Sequence, residues 1–400
     1  MVYSYSALYG DPLLDEKADP FPEALLADYA QCGVNAVWLQ GILYTLTPWL
    51  GVPELSAKWE QRLEGLRRLV QRAGRHGIKV YLYLNEPRAV PKAGFAAHPE
   101  WAGAADRKDD LVAFCPYAPG LTQALSRAVE AVSRAVPDLG GFFTISMSEN
   151  LTHCHSRPAS ELHSCPRCAN HTPAENVSRV LNAIYDGIRA AGTGQNLIAW
   201  SWGWDPAWDE QVLESLPPAV KIMCVSENSL PTECLGVTGK VNDYSISKVG
   251  PGPVATRQWQ LARKHHHTAI AKVQLNTTWE LSAIPCIPVP QLVRQHVENI
   301  RNCGVDDFLM CWTLGGYPGG NLELVTRSVR EWIAARFPAE QVDAVIAITQ
   351  GFSDAFRLFP FHECSLIYCG PTNFGCANLL FRNPTGYAAT MVCFPYDDLA

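Results

Sequence analysis

Short apolar segments rich in β-forming residues alternate along the chain with segments whose apolar residues recur every three or four positions. This alternation of strand and helix patterns is typical of parallel α/β architectures. Eight strand segments can be placed in order, at residues 3–9, 36–39, 80–84, 141–147, 197–202, 221–225, 269–275 and 308–313. Eight strand–helix units in succession predict a closed (β/α)8 TIM barrel.

The predicted helices begin and end at residues that suit those positions. Pro22 fits the first turn of a helix, and Gly33, Gly77 and Gly304 stand where three of the helical patterns stop. A doubly wound open sheet is the alternative fold. Because no G-x-G-x-x-G follows the first strand and no Walker motif occurs, the nucleotide-binding form of that alternative is disfavoured.

The pattern changes beyond about residue 335. A helical segment over 342–356 leads into an aromatic tail rich in Cys and Gly. We therefore expect a catalytic barrel over 1–335 and a short C-terminal helical and irregular extension over 336–400, and we leave open whether the end of the chain truncates it.

Composition limits the classes of partner. The 400 residues are 48% hydrophobic, enough for a large core, and the net charge of -7 argues against a nucleic-acid partner. No apolar segment reaches membrane-spanning length and no leader pattern opens the chain, so we expect a cytoplasmic protein without a membrane partner. Twelve Trp and 14 Tyr suit stacking on a carbohydrate substrate. We expect no organic cofactor, and a homo-oligomer stays open.

Acidic residues follow several of the predicted strands. Glu86 follows the third, Glu149 the fourth and Glu227 the sixth, and Glu280 lies in the loop after the seventh. In a barrel these loops converge on one mouth, where clustered like charges are costly unless a site uses them. Glycoside hydrolysis needs two carboxyl groups across the scissile bond, about 5–5.5 Å apart for retention. The four acids therefore indicate a glycosidase.

This arrangement resembles the clan A glycoside hydrolases, whose acid/base residue ends strand four and whose nucleophile ends strand seven. The resemblance is architectural and covers the predicted barrel. It implies that Glu149 is the general acid/base and Glu280 the nucleophile. Glu227, which follows the sixth strand, is the alternative nucleophile. The clan usually has Asn directly before the acid, whereas here Ser148 precedes Glu149 and Asn150 follows it.

Substrate binding is assigned to polar and aromatic residues near the predicted strand ends. Asn85-Glu86-Pro87 matches an acid/base motif of that clan but lies on the third strand, so Glu86 is interpreted as substrate-binding or structural, with the acid role as the alternative. Alternation predicts Trp200, Trp202 and Trp204 on one face, Trp200 filling core. The substrate-binding set is Glu86, Asn150, Trp202, Trp204, Trp279 and Trp312.

A cysteine cluster lies in the loop after the fourth strand. Cys154 is followed by the C-x2-C pair Cys165 and Cys168, a spacing that indicates a zinc site. Cys115, after the third strand, would lie next door. This set resembles the family 42 β-galactosidases, in which one Cys after strand three and three after strand four hold a structural zinc. A nearby histidine as fourth ligand (His155 or His163) and free thiols are the alternatives.

Three functions are carried forward from these residues. The first is cleavage of a β-glycosidic bond by a retaining two-carboxylate mechanism. The second is a β-N-acetylhexosaminidase similar to family 20, in which the substrate's acetamido group is the nucleophile; that family normally has Asp-Glu where this chain has Ser148-Glu149. The third is a non-catalytic carbohydrate-binding barrel. A metal-dependent hydrolase is disfavoured, because no His-x-His ends the first strand.

Overall fold

The structure, a computed structural model, describes residues 1–6, 10–147, 150–234, 236–282 and 284–361. Its strands are β1 (Ala36–Gly41), β2 (Lys79–Leu84), β3 (Val90–Pro91), β4 (Ala102–Ala105), β5 (Leu111–Phe114), β6 (Gly141–Ile145), β7 (Asn196–Trp200), β8 (Lys221–Val225), β9 (Leu230–Cys234), β10 (Val237–Val241), β11 (Ala269–Lys272) and β12 (Asp307–Leu309). Its helices are α1 (Glu23–Gln31), α2 (Leu43–Leu46), α3 (Trp59–Arg75), α4 (Leu121–Ala135), α5 (Pro173–Ala191), α6 (Asp209–Ser215), α7 (Pro253–Lys264), α8 (Pro290–Asn302), α9 (Val329–Ala334) and α10 (Val342–Arg357).

A curled parallel sheet forms the centre of the molecule. Its seven strands lie in the order β1-β2-β6-β7-β8-β11-β12, and every pairing between neighbours is parallel. Met1 and Val2 join the two ends of this sheet: Val2 bridges to Val37 of β1, while the Met1 amino group donates to the Phe308 carbonyl of β12. The predicted (β/α)8 barrel is confirmed. Met1 and Val2 lie between β12 and β1, in the position of the first predicted strand.

The first predicted strand was wrong in its extent. Residues 3–9 were expected to be extended, but only Met1 and Val2 join the ladder, and residues 7–9 lie outside the described part of the chain. The chain turns at Tyr5 because its local hydrogen bonds go elsewhere. The Ser4 hydroxyl donates to the Pro20 carbonyl, and the Tyr5 N–H donates to the Tyr29 hydroxyl at 3.0 Å.

Two apolar layers lie on the two faces of the barrel sheet. The layer between strands and helices is aliphatic and contains, for example, Leu66 of α3 and Val177 of α5. The layer inside the barrel is richer in aromatic residues, among them Trp38, Phe143 and Trp200. Because successive strand residues point to opposite faces, the sheet serves both layers at once.

The loops at the carboxyl ends of the strands carry additional structure that the sequence pattern did not predict. Strands β3, β5 and β4 form a small antiparallel sheet after β2, and β9 and β10 form a hairpin after β8. Other helix ends were predicted well. Gly77 and Gly304, directly after α3 and α8, have φ of 70° and 74°, a conformation that favours glycine.

Helix α10 forms as predicted beyond the barrel. It packs against α8, where the Ser353 hydroxyl donates to Gln291 Oε1 at 2.9 Å and Gln291 Nε2 donates to Thr349. The division of the chain at residue 335 stays a prediction, and residues 362–400 lie outside the described part. No helix within the described ranges has the length and apolar character required to cross a bilayer.

Candidate active site

Glu227 lies immediately beyond the carboxyl end of β8. Strand alternation places it on the same face as Met223 and Val225, which belong to the aromatic interior of the barrel. Its side chain is fully buried. Oε1 accepts a hydrogen bond from the Ser245 N–H at 3.3 Å, whereas Oε2 has no partner among the described residues. Burial raises the pKa of Glu227 to about 8, opposed by the Ser245 N–H and by the charge of Lys272.

Glu280 is also fully buried, but its carboxylate is occupied by neighbouring groups. Oε1 accepts from the hydroxyls of Ser245, at 2.7 Å, and Ser247, at 2.5 Å. Oε2 accepts from the Ile246 N–H and from the Thr278 hydroxyl, both at 2.7 Å. The Ser247 N–H adds a longer bond to each oxygen. Glu280 therefore anchors the 245–247 segment against the loop after β11.

Ser245 links the two carboxyl groups. Its backbone N–H donates to Glu227 and its hydroxyl donates to Glu280, so one residue fixes an oxygen of each. The charge of Glu280 is also among the causes that raise the pKa of Glu227. Glu227 and Glu280, which follow β8 and β11, therefore lie close together, as the sequence pattern predicted for acids at the strand ends.

Lys272 is a fully buried amine beside these acids. It ends β11 on the interior face, and its Nζ lies 3.9 Å from the centre of the Tyr244 ring. Nζ donates to the Val273 carbonyl at 2.9 Å. Burial lowers the pKa of Lys272 to about 7, opposed by the charges of Cys311, Glu227 and Asp243. The candidate site therefore combines two buried acids with one buried base.

The sequence analysis missed Lys272, Ser245 and Tyr244. A signal for Lys272 was present: in 269–275, Lys272 and Gln274 alternate with apolar residues, and alternate residues share a face. Polar groups on the interior face of a barrel strand near its carboxyl end mark the mouth. Ser245 and Tyr244 follow the β9–β10 hairpin, and no periodic pattern indicates where such a loop returns.

Glu86 is held by backbone amides rather than facing an open cleft. It is fully buried, and its two oxygens accept from the N–H groups of Leu43, at 2.6 Å, and Arg88, at 2.8 Å. Burial raises its pKa to about 7. The neighbouring Asn85 joins two strand ends, since the Ile145 N–H donates to its Oδ1. Of the three interpretations of Glu86, these contacts favour the structural one.

Glu149, the predicted general acid/base, lies with Ser148 outside the described residues. The described chain places the ends of that gap at the carboxyl end of β6, with Met147 on one side and Asn150 on the other, both partly buried. The assignment of Glu149 as the acid and of Asn150 as a substrate ligand therefore stays a proposal.

The four predicted tryptophans do not share one environment. Trp312 is half-buried in the barrel interior, where its ring stacks on Trp38 with centroids 4.6 Å apart. Trp202 and Trp279 are half-buried and pack against the same interior cluster. Trp204 is 7% exposed, packs into the layer between strands and helices, and donates its indole N–H to the Ser146 hydroxyl at 2.9 Å.

The expectation that Trp200, Trp202 and Trp204 share one face was wrong. Strand β7 ends at Trp200, and Gly203 then adopts a φ of 78°. Because side chains alternate only along an extended strand, the turn sends Trp204 away from the interior. Of the four tryptophans assigned to substrate binding, Trp204 is therefore occupied by packing.

The four predicted metal ligands lie together. The Sγ atoms of Cys115, Cys154, Cys165 and Cys168 are all within 4.8 Å of one another, and all four residues are buried. The hydrogen bond with the Cys154 thiol is the chief cause that lowers the pKa of Cys115 to about 6, and the interaction with Cys165 opposes it. Four such soft donors can hold a metal ion.

Further contacts hold these sulfurs in place. The Arg167 Nε–H donates to Cys115 Sγ at 3.3 Å, and the Ala104 N–H donates to Cys154 Sγ at 3.4 Å. Gly103 packs so closely that an added Cβ would lie 2.5 Å from Cys154 Sγ. N–H groups directed at sulfur and a tight surrounding shell are typical of thiolate metal sites.

A cavity of about 660 Å³ opens beside this cluster. Met147 and Gly203, which follow β6 and β7, line it together with Asp205, Trp208 and His155. Ligand pockets commonly have volumes of about 300–1,000 Å³ and lie at the carboxyl ends of barrel strands. A second cavity, of about 770 Å³, lies among α4, α5 and α6 on the outside of the barrel, remote from the strand ends.

Comparison of this architecture with solved structures shows which proteins share it. A family 138 glycoside hydrolase that targets the pectin rhamnogalacturonan II is similar over 90% of this chain and 42% of its own, with a TM-score of 0.54 and 13% identity. A family 5 enzyme (subfamily 18) from Streptomyces cattleya, in complex with GlcNAc, is similar over 89% of each chain, with a TM-score of 0.52 and 14% identity.

A family 89 glycoside hydrolase from Clostridium perfringens, in complex with GlcNAc-alpha-1,4-galactose, is similar over 87% of this chain and 40% of its own, with a TM-score of 0.53 and 13% identity. The fold is a barrel shared with glycoside hydrolases. The chain spans about two-fifths of the family 138 and family 89 proteins. No protein-family model and no curated protein matches the sequence.

Proposed function

We propose that this chain is a glycoside hydrolase that cleaves a β-glycosidic bond by a retaining, two-carboxylate mechanism. The observation that carries the proposal is the fully buried Glu227 at the barrel mouth, with one carboxyl oxygen lacking a partner among the described residues and with Glu280 and Lys272 beside it. Burying an acid with an unsatisfied oxygen costs several kcal/mol, so such a group is expected where a substrate supplies the missing contact.

Glu149 is proposed as the general acid/base, on the strength of its position directly after β6. For the nucleophile, the sequence favoured Glu280 and kept Glu227 as the alternative. The hydrogen bonds favour Glu227, because both oxygens of Glu280 already accept from hydroxyl and N–H groups of the protein. A nucleophile needs an oxygen that can approach the anomeric carbon, and Oε2 of Glu227 is the one without a competing donor.

The reaction then proceeds in two displacements. In the first, Glu227 Oε2 attacks the anomeric carbon while Glu149 gives its proton to the departing glycosidic oxygen, which forms a glycosyl ester and releases the aglycone. In the second, Glu149 takes a proton from water, the water oxygen attacks the same carbon, and the ester bond to Glu227 breaks. Two inversions return the β-configuration.

A panel of aryl β-glycosides tests the proposed function directly. Galactoside, glucoside, N-acetylglucosaminide and N-acetylgalactosaminide are offered to the whole chain, and the anomer released first is followed by NMR. Hydrolysis with retention of at least one supports the proposal. Binding of the corresponding sugars without turnover of any glycoside would replace it by the non-catalytic carbohydrate-binding barrel.

Covalent trapping identifies the nucleophile. A 2-fluoro glycosyl fluoride of the preferred sugar is expected to inactivate the enzyme with one label per chain, because the fluorine slows the second displacement more than the first. Peptide mapping is expected to find the label on Glu227. A label on Glu280 would keep the mechanism and return the nucleophile to the loop after β11.

Substrate-assisted catalysis by a β-N-acetylhexosaminidase is the second candidate function. It is favoured by the engagement of both Glu280 oxygens with protein donors, because a substrate that brings its own acetamido nucleophile needs no accessible carboxylate there. Inactivation by the 2-fluoro reagent would exclude it. Absence of labelling together with tight binding of a thiazoline analogue would establish it.

We also propose that the four-cysteine cluster holds a structural zinc ion. A tetrahedral ion with Zn–S bonds of about 2.3 Å separates sulfurs by about 3.8 Å, which fits Sγ atoms that all lie within 4.8 Å of one another. Four protein ligands leave no open position for catalysis. The ion would tie the loop after β5 to the long loop between β6 and α5.

Protein purified without added metal is expected to contain one zinc per chain by elemental analysis. Chelation should lower the melting temperature by on the order of 5–10 °C, and activity should fall in step with unfolding. Cys168→Ser should lose the zinc, whereas Cys303→Ser, outside the cluster, should keep it. Loss of activity at an unchanged melting temperature would instead indicate a catalytic metal.

A further inference from the structure

The interior position of Lys272 is costly for a lysine. In the register of the sheet it pairs with Val225 of β8 and Leu309 of β12, both members of the apolar interior cluster, and its side chain is fully buried. Moving an ammonium group out of water carries a large free-energy cost even after the protein relaxes. An aliphatic side chain would fill this position at no such cost, so the amine requires an explanation.

The contacts of Lys272 hold its amine at a defined place. Nζ lies over the face of Tyr244 at 3.9 Å, which favours the charged form, and it donates to the Val273 carbonyl at 2.9 Å. Gln274 Oε1 lies at 3.5 Å and also accepts from the Trp312 N–H. These three groups hold the amine in place, and none of the three is a carboxylate.

The acids of the site face this amine from several elements. Glu227 comes from the loop after β8, and Asp243 comes from the segment after β10. The charges of both oppose the lowering of the Lys272 pKa by burial. Cys311, which follows β12, acts in the same direction. Glu280 lies on the far side of Ser245 and acts on Glu227. Among these charged groups, Lys272 is the positive one that opposes the burial of Glu227.

We propose that Lys272 is a positioning residue for the reaction, whose ammonium favours the ionised form of Glu227 that a nucleophile requires. The proposal rests on the proposed function, because it assigns Lys272 to the same site. Without the amine, Glu227 would be a buried carboxyl group close to Glu280, and both burial and the like charge favour its protonated form. A protonated carboxyl group does not attack the anomeric carbon.

The pH dependence of kcat/KM tests this role. Rates should be measured with the preferred aryl glycoside for the wild type, Lys272→Met, Lys272→Arg and the control Lys221→Met, at the opposite end of the barrel. Lys272→Met is expected to move the acidic limb of the profile to higher pH by about one unit and to lower the rate on that limb about tenfold. Lys272→Arg should largely restore the profile, and Lys221→Met should leave it unchanged.

Melting separates this role from a purely structural one. The pH profile of Lys272→Met is recorded well below its own melting transition, because removing one partner of a buried pair lowers stability by itself. An unchanged acidic limb in Lys272→Met, or a loss of rate that only follows a loss of folded protein, would overturn the proposal. If the wild type hydrolyses no glycoside, the proposed function fails instead, and that outcome is read from the wild type alone.

Discussion

Replacing Glu227 by Gln is expected to lower kcat/KM by roughly 10⁴-fold or more while the barrel stays folded. Gln keeps an oxygen to accept the Ser245 N–H and removes the carboxylate that would form the glycosyl ester. The buried position makes folding tolerant of the change, because the neutral amide carries no charge out of water. Steady-state kinetics on the preferred aryl glycoside measure the loss, and circular dichroism checks the fold.

The matched control for this experiment is Glu214→Gln, an exposed acid on α6, which should retain full activity. Added azide gives a second readout with Glu227→Gly, since a small anion can enter the space left by the side chain. Attack by azide at the anomeric carbon, with loss of the aglycone, would produce a glycosyl azide of inverted configuration. Near-normal turnover by Glu227→Gln would remove Glu227 from the mechanism.

Replacing Glu149 by Gln is expected to give a loss that depends on the leaving group. On alkyl glycosides, turnover should fall by about 10²–10⁴-fold, because no group remains to protonate the departing oxygen. On 2,4-dinitrophenyl glycosides, whose leaving group needs no proton, the first displacement should proceed at nearly the wild-type rate. Pre-steady-state bursts measure the two displacements separately.

Glu161→Gln is the appropriate control, because this exposed acid lies in the same long loop between β6 and α5. Wild-type turnover of unactivated glycosides by Glu149→Gln would exclude Glu149 as the acid. An equal loss on activated and unactivated substrates would show that the residue binds the sugar or shapes the loop rather than transferring a proton.

Much of the architecture could be predicted because two periodicities dominate a barrel. The strand at 221–225 matches β8 residue for residue, and the helix predicted over 342–356 differs from α10 by one residue. The prediction of the first strand failed, because Ser4 and Tyr5 form hydrogen bonds outside the ladder of the barrel sheet. Apolar composition alone carries no information about that competition.

The cysteine cluster was the best-predicted part of the site, and the identity of the proposed nucleophile was the least determined. Cys154 and the C-x2-C pair lie in one loop, so only Cys115 had to be supplied by topology. The environment of Glu280 depends instead on Ser245 and Ser247, which are more than 30 residues away and follow a hairpin. Sequence position placed Glu280 near the mouth but gave no account of its partners.

The contacts of Ser245 limit how mutagenesis at this site can be interpreted. Substitution of Glu280 releases the 245–247 segment, and the Ser245 N–H that orients Glu227 moves with it. A Glu280 variant would then be inactive whether or not Glu280 ever touches the sugar. Ser245→Ala keeps the N–H but removes the hydroxyl, and a backbone shift there would disturb both acids together. Kinetic loss at Glu280 is thus no evidence of a chemical role, and the identity of the nucleophile has to come from the covalent label.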